Sequence, residues 1–289
     1  MKFLIADSGS TKTDWALASE GQIIERVKTQ GINPYHQSVD AIRRVLETEL
    51  ADVLRAENVD AVYFYGSGCR ADQEAKMVRL LKERFHCAQT IEAHGDLLGA
   101  ARALCGRGEG IACILGTGAN SCYYDGEKIL LNTPPLGYIL GDEGSGAVLG
   151  RNFINGLFKG RLPKELCDDF MAEYNLTLNE IIRRVYQEPM ANRWMASFTL
   201  YIYKHLNCPE VEQLVVDNFR SFFRLNINPY GRRELKVSAL GSIAYYFREQ
   251  LVKASHSEGY EIDRVLQNPI DGLLFFHNSP AFVDVLFTK

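Results

Sequence analysis

The run Phe3-Leu4-Ile5-Ala6-Asp7-Ser8-Gly9-Ser10-Thr11-Lys12-Thr13-Asp14-Trp15 decides the fold. Four apolar residues end in an aspartate, small hydroxyl residues and a glycine follow, and Trp15-Ala16-Leu17-Ala18 restarts the apolar pattern. This spacing predicts a strand, a tight turn and a second strand. Gly9 lets the backbone approach a bulky anion, and the hydroxyls of Ser10, Thr11 and Thr13, with the turn amides, can donate to phosphate oxygens. Asp7, at the mouth of the strand, is placed to hold a hydrated divalent cation. The turn is not a Walker loop, because Gly9 is followed by Ser-Thr-Lys-Thr and not by four residues and Gly-Lys. A polar hairpin turn without any ligand accounts for the same residues.

Working outward, Ile23 to Val27 continues the meander as a third strand, and Gly31-Ile32-Asn33-Pro34-Tyr35 reads as a loop. Ser38 can cap a helix with Val39, Ile42, Val45, Leu46, Leu50, Val53 and Leu54 on one face. A strand from Val59 to Tyr65 ends in Gly66-Ser67-Gly68, and Asp72 to Phe85 forms a second amphipathic helix. A short strand from Gln89 to Ala93 meets His94-Gly95-Asp96, and Leu97 to Leu104 is helical.

The opening pattern then recurs. Gly110 to Leu115 is an apolar strand, Gly116-Thr117-Gly118-Ala119-Asn120-Ser121 a turn, Cys122-Tyr123-Tyr124 a strand, Asp125-Gly126 a turn and Lys128 to Leu131 a strand. Two copies of one supersecondary unit predict two similarly folded α/β domains. The first spans 1–108, and the second spans 109–277 with a helical insertion over 163–223. Residues 278–289 are too apolar for a free tail and are expected to pack back on a domain, the first being a candidate. Gly137 to Gly146 is a glycine-dense loop before the helix Ala147 to Phe158. Near the end, Glu234 to Leu240 is a strand closing on Gly241-Ser242, and Ile243 to Ala254 is a helix. Tyr260 to Val265 is a last strand, and Ile270 to Phe276 a last helix.

Composition narrows the function. The 289 residues carry a net charge of -4 with no dense basic run, which argues against a nucleic-acid surface. Seven cysteines, no two closer than eight residues, form neither a disulfide framework nor a zinc knuckle. No apolar stretch reaches the roughly 18 residues of a membrane span. Only a four-residue apolar run precedes Asp7, too short for a signal peptide, so a cytoplasmic protein without a membrane partner is expected.

With these turns in place, the sequence resembles the sugar kinase, heat-shock-70 and actin superfamily of ATP-binding proteins. Within it, the chain is similar to the N-acetylglucosamine kinase-like family, which also holds the ATPase activators of benzoyl-CoA reductase and 2-hydroxyacyl-CoA dehydratases. The ordered motifs are Asp7 to Asp14, Asn33, Asp96, Leu115-Gly116-Thr117-Gly118, Gly141-Asp142-Glu143-Gly144-Ser145-Gly146 and Ala239-Leu240-Gly241-Ser242. The resemblance implies two ribonuclease-H-like domains with ATP in a cleft between them and Mg²⁺ bound through water at Asp7. The turns at Gly9 to Thr11 and Gly116 to Gly118 would take the phosphates, and Gly241 and Ser242 the adenosine. It implies an amino sugar as the small-molecule substrate, N-acetylglucosamine at its 6-hydroxyl first, with glucosamine or N-acetylmuramic acid as related acceptors. Asn33, Asp142, Thr117 and Gly118 would contact that sugar, and Asp96 would be the general base. A homodimer is compatible with the helical block.

Other readings stand beside these. Asp96 and Asp142 each suit a helix N-cap, and Asn33 suits a plain turn before proline. Lys12 on a hairpin edge is expected to be solvated, and His94 to be a half-buried structural histidine. Where the glucosaminide kinases carry Gly-Trp-Gly, this chain has Pro135-Leu136-Gly137, so the sugar-facing wall is altered. An activator ATPase would need an iron–sulfur cluster, and the scattered cysteines do not supply grouped ligands.

Overall fold

A computed structural model describes residues 1–9, 11–50 and 59–278, and its contacts divide the chain into two compact units. Unit 1 comprises Met1–Gly108, Gly126–Lys128 and the stretch from Pro269 onward; unit 2 comprises Glu109–Asp125 and Ile129–Asn268.

In unit 1 the chain runs β1 (Lys2–Ser8), β2 (Lys12–Ser19), β3 (Gln22–Gln30), α1 (Val39–Arg44), β4 (Ala61–Gly66), α2 (Ala71–Arg84), β5 (Thr90–Gly95) and α3 (Asp96–Cys105). The sheet order is β3-β2-β1-β4-β5, with β1–β3 an antiparallel meander and β4 and β5 parallel to β1. Strand β1 reads as an unbroken apolar run because both its faces are covered. Leu4 and Ala6 pack with Trp15, Phe64, Ile42 and Met77 on the α1–α2 side. Phe3 and Ile5 pack with Tyr63, Ala103, Ile270 and Leu273 on the other.

Unit 2 repeats this plan. It holds β6 (Gly110–Leu115), β7 (Ala119–Tyr124), β8 (Ile129–Leu131), α4 (Gly137–Leu140), α5 (Gly146–Phe158), α6 (Lys164–Glu173), α7 (Leu178–Tyr186), α8 (Ala191–Ser197), α9 (Thr199–Lys204) and α10 (Pro209–Phe222). Then follow β9 (Val237–Leu240), α11 (Ser242–Tyr246), α12 (Arg248–Ser257) and β10 (Ile262–Leu266). The order β10-β9-β6-β7-β8 is that of unit 1, again with a three-strand antiparallel meander and two parallel strands. Two ribonuclease-H-like sheets of one topology are therefore the architecture. Helices α5–α10 wrap a core that includes Phe153, Phe170, Phe198, Tyr201, Phe219 and Phe222.

Several expectations need correction. The last helix, α13 (Ile270–Asn278), belongs to unit 1 and not to a second domain ending at 277. Its Ile270 and Leu273 cover the Phe3 and Ile5 face of β1, which would otherwise meet water. Ser38 caps α1 through the Ala41 amide as expected, but the α-helix ends at Arg44 and continues as a π-turn over Val45–Glu49. Val53, Leu54 and residues 279–289 lie outside the described residues. The helix expected over Ile243 to Ala254 is broken at Phe247 (φ −101°, ψ 31°), which is buried between α11 and α12. The loop expected over Gly137 to Gly146 contains the single turn α4.

Candidate functional site

In unit 1 the first turn, the Asn33 loop, the Gly66–Cys69 loop and the start of α3 all lie at the C-terminal ends of β1, β4 and β5. Parallel neighbours deliver their C-termini to one edge, so residues distant in sequence converge there. Asp7 pairs with Asp14 on β2 and Tyr65 on β4. Burial, then the nearby carboxylates of Asp96 and Asp14, push its carboxyl up to about 7, with Lys12 pulling the other way. Lys12 itself is exposed and paired with Asp14 at 2.8 Å.

Asp96 is the first residue of α3, with Gly95 in the cap position. Its Oδ1 accepts the Leu97 amide at 2.9 Å, and burial raises its carboxyl above the ordinary value in spite of that bond. The helix-terminus bond engages Oδ1 and is compatible with a second role for the same carboxyl. Asn33 Oδ1 accepts the amides of Tyr35 (3.1 Å) and His36 (3.2 Å), the plain turn role. Its side chain also lies against Gly68 (φ +75°), where a Cβ would come within 2.7 Å of the Asn33 Cγ. Only glycine admits this contact.

Gly9 and Thr11 are exposed, the Gly9 amide donating to Lys12 and the Thr11 carbonyl accepting from Gly31, both at 3.0 Å. Ser10 lies outside the described residues. Thr13 requires correction as a phosphate ligand. Its hydroxyl is fully buried, 2.6 Å from Ser8 Oγ, and it accepts the Ile32 amide at 3.2 Å. Ser8 Oγ also accepts that amide and donates to the Ile32 carbonyl, each at 2.9 Å. Strand alternation turns residue 13 inward, and the pair braces the first turn to the Asn33 loop. Thr13→Val therefore costs about 1–2 kcal/mol of stability, read by denaturant unfolding, and leaves nucleotide affinity within about threefold. A selective loss of affinity at unchanged stability would restore the ligand role.

In unit 2 the Gly116–Gly118 turn is held from below. The amides of Gly146 and Ala147, opening α5, donate to the carbonyls of Gly116 (2.8 Å) and Thr117 (3.1 Å), and Ser145 caps α5 through Val148. Among the described residues, the amides of Thr117 and Gly118 have no hydrogen-bond partner. Asp142 (φ +56°) lies against Gly118, where a Cβ would sit 3.0 Å from its Oδ2. Its amide donates to the Pro135 carbonyl at 2.9 Å, and burial raises its carboxyl to about 6 against amide bonds from Ala119 and Gly137. Asp142 is not the cap of α5; Ser145 is.

Gly241 (φ +117°) follows β9 and abuts Leu115, the residue before the turn, because β6 and β9 are parallel neighbours with Ile114 opposite Leu240. A Cβ on Gly241 would lie 2.9 Å from the Leu115 carbonyl carbon. Ser242 is exposed beside it. Among the described residues, no group of three or more His, Cys, Asp or Glu side chains is arranged to hold a metal ion.

No protein-family model and no curated protein matches the chain. A solved structure does. A candidate N-acetylglucosamine kinase from Porphyromonas gingivalis is 46% identical, covering 96% of this chain and 98% of that one, with a TM-score of 0.91. The chain belongs to the N-acetylglucosamine kinase-like family. Two further structures share its fold at 17% identity. One is a candidate N-acetylglucosamine kinase from Chromobacterium violaceum (TM-score 0.70, 95% of this chain and 98% of that). The other is a ROK-family glucokinase from Streptomyces griseus in complex with glucose and AMPPNP (0.54, 96% and 98%).

Leu136, expected to alter the sugar-facing wall, has φ +61° and is 64% exposed. The backbone of Pro135 still performs a task there, since its carbonyl fixes Asp142. Ser8, Gly68 and the Leu115 carbonyl escaped the sequence reading. Gly66-Ser67-Gly68 behind a strand was the available signal for the second; the other two depend on pairing that a linear pattern does not show.

Proposed function

We propose that the protein is an ATP-dependent amino-sugar kinase that phosphorylates N-acetylglucosamine at its 6-hydroxyl. The observation that carries this reading is the buried Asp96 carboxyl at the end of β5, close enough to Asp7 to raise its pKa. A base and a cation-binding carboxylate side by side are what phosphoryl transfer to a hydroxyl needs from a protein. The identity to the P. gingivalis candidate kinase supports the sugar class.

We assign Gly9, Ser10, Thr11, Gly116, Thr117 and Gly118 to the phosphates and Gly241 and Ser242 to the adenosine. Asn33, Asp142, Thr117 and Gly118 take the sugar. Asp7 would hold Mg²⁺ through water: burial, then Asp96 and Asp14, disfavour its ionised form while Lys12 favours it, so a divalent cation there would relieve the repulsion. Magnesium-bound ATP supplies the transferable γ-phosphoryl. Asp96 orients the sugar hydroxyl and accepts its proton, and a pKa raised toward the working pH makes it a better base. Asn33 offers its Nδ2 to the sugar while Oδ1 stays in its own turn.

The test is ADP release over N-acetylglucosamine, glucosamine, N-acetylmuramic acid and glucose. The highest kcat/KM is expected for N-acetylglucosamine, with the product a 6-phosphate by NMR. No sugar stimulation with any acceptor overturns the kinase reading.

A further inference from the structure

Strand β5 leads into the proposed base, yet among the described residues it is the edge of its sheet, paired with β4 alone. An edge strand fastened on one side is easily displaced, and a base must be held within about 0.5 Å to work. Glu92 and His94 alternate on one face of β5, directly opposite Tyr63 and Tyr65 of β4. His94 Nδ1 lies 3.1 Å from Glu74 Oε1 on α2, and His94 Nε2 lies 3.3 Å from Glu92 Oε2. Arg102 of α3 donates from Nη1 to the same Glu92 oxygen at 3.3 Å and to the Tyr65 hydroxyl at 2.7 Å. That hydroxyl meets Nε2 of His277 on α13 at 2.8 Å, and the His277 ring stacks on Tyr63 at 3.5 Å. The free edge is thereby tied to both flanking helices, α2 through His94 and α3 through Glu92.

A ring with a carboxylate at each nitrogen donates twice, which only the imidazolium can do. We infer that His94 is a positioning residue for Asp96, its imidazolium clamped between Glu74 and Glu92 so that the Gly95–Asp96 end of β5 stays fixed; this rests on the kinase reading for its effect on turnover. The charges balance with His94 protonated, two carboxylates facing one imidazolium and one guanidinium. The groups facing the cluster agree. Glu92, chiefly through its bond to His94, is held down to about 2, while burial and then Arg102 depress His277 to about 3 and leave it neutral. Bonds to Glu92 and then Glu74 raise His94 above its ordinary value. Burial raises both Tyr65 and Cys69, so neither adds charge near neutral pH. The sign follows: the imidazolium clamp is present below the raised His94 pKa and is lost as pH rises through it.

The experiment compares wild type, His94→Gln and Glu74→Gln. In wild type, ¹⁵N NMR of His94 should show both ring nitrogens protonated at pH 7, and kcat should fall on the alkaline limb as that signal titrates. His94→Gln should lower kcat about tenfold to a hundredfold, with both KM values within about threefold, and should lack that limb. Glu74→Gln, which cuts only the α2 arm, should lose less and covers the case in which His94→Gln does not fold. A neutral His94 at pH 7, or a folded variant with wild-type kcat, overturns the inference. If no sugar is phosphorylated, the Asp96 carboxyl ¹³C titration decides instead: a changed midpoint in either variant supports the clamp, and an unchanged one in both removes it.

Discussion

Asp96→Asn should lower kcat by about 10²- to 10⁴-fold, the range that a general base contributes, while ADP affinity and thermal stability hold. Asparagine has the shape of the native side chain and still offers Oδ1 to the Leu97 amide, so the first turn of α3 keeps its bond. It removes a carboxyl whose ionised form is disfavoured by burial and which crowds Asp7. The folded state binds the Asp96 proton more tightly than the unfolded chain does. Ionised Asp96 therefore costs stability once pH exceeds the ordinary aspartate value of about 3.9. At pH 8 the variant should melt at the wild-type temperature or slightly above. A catalytic loss without a stability loss separates the base from a structural cap. Turnover within about threefold of wild type would remove Asp96 from the chemistry.

Gly241→Ala should be a strongly damaging single methyl in unit 2. The φ of +117° lies where residues with a Cβ rarely go, a strain of order 1–3 kcal/mol. The new Cβ would also press on the Leu115 carbonyl, so β9 and β6 must separate just before the Gly116 turn. A total near 3 kcal/mol lowers Tm by roughly 6–12 °C in a unit of this size, and displacement of the turn should weaken ADP binding more than about tenfold. Ser242→Ala, on the exposed neighbour, is the control and should leave Tm unchanged. Wild-type melting and ADP affinity in Gly241→Ala would show that neither the close approach nor the turn matters.

The sequence by itself determined the two-copy plan and the ordered motifs. The apolar runs Phe3–Ala6 and Gly110–Leu115 are central strands covered on both faces, and burial on both faces erases the polar alternation that would hide them. The places of Asp7, Asn33, Asp96, Asp142 and Gly241 at strand ends and turns were legible, because local rules leave few alternatives there. What a side chain does once there was decided by tertiary structure. Thr13 looked like a phosphate ligand and is a buried brace, because its partners, Ser8 and Ile32, are 5 and 19 residues away and meet it only through strand pairing and loop return. Helix α13 reads as the end of the second domain, and it covers β1 because only the folded sheet exposes the Phe3 and Ile5 face. The His94 clamp draws on α2, α3, β4 and α13, elements whose order in the chain does not reveal that they surround one edge strand. Backbone propensity and periodicity act within a few residues; hydrogen bonding at an edge strand is fixed by which helices pack beside it.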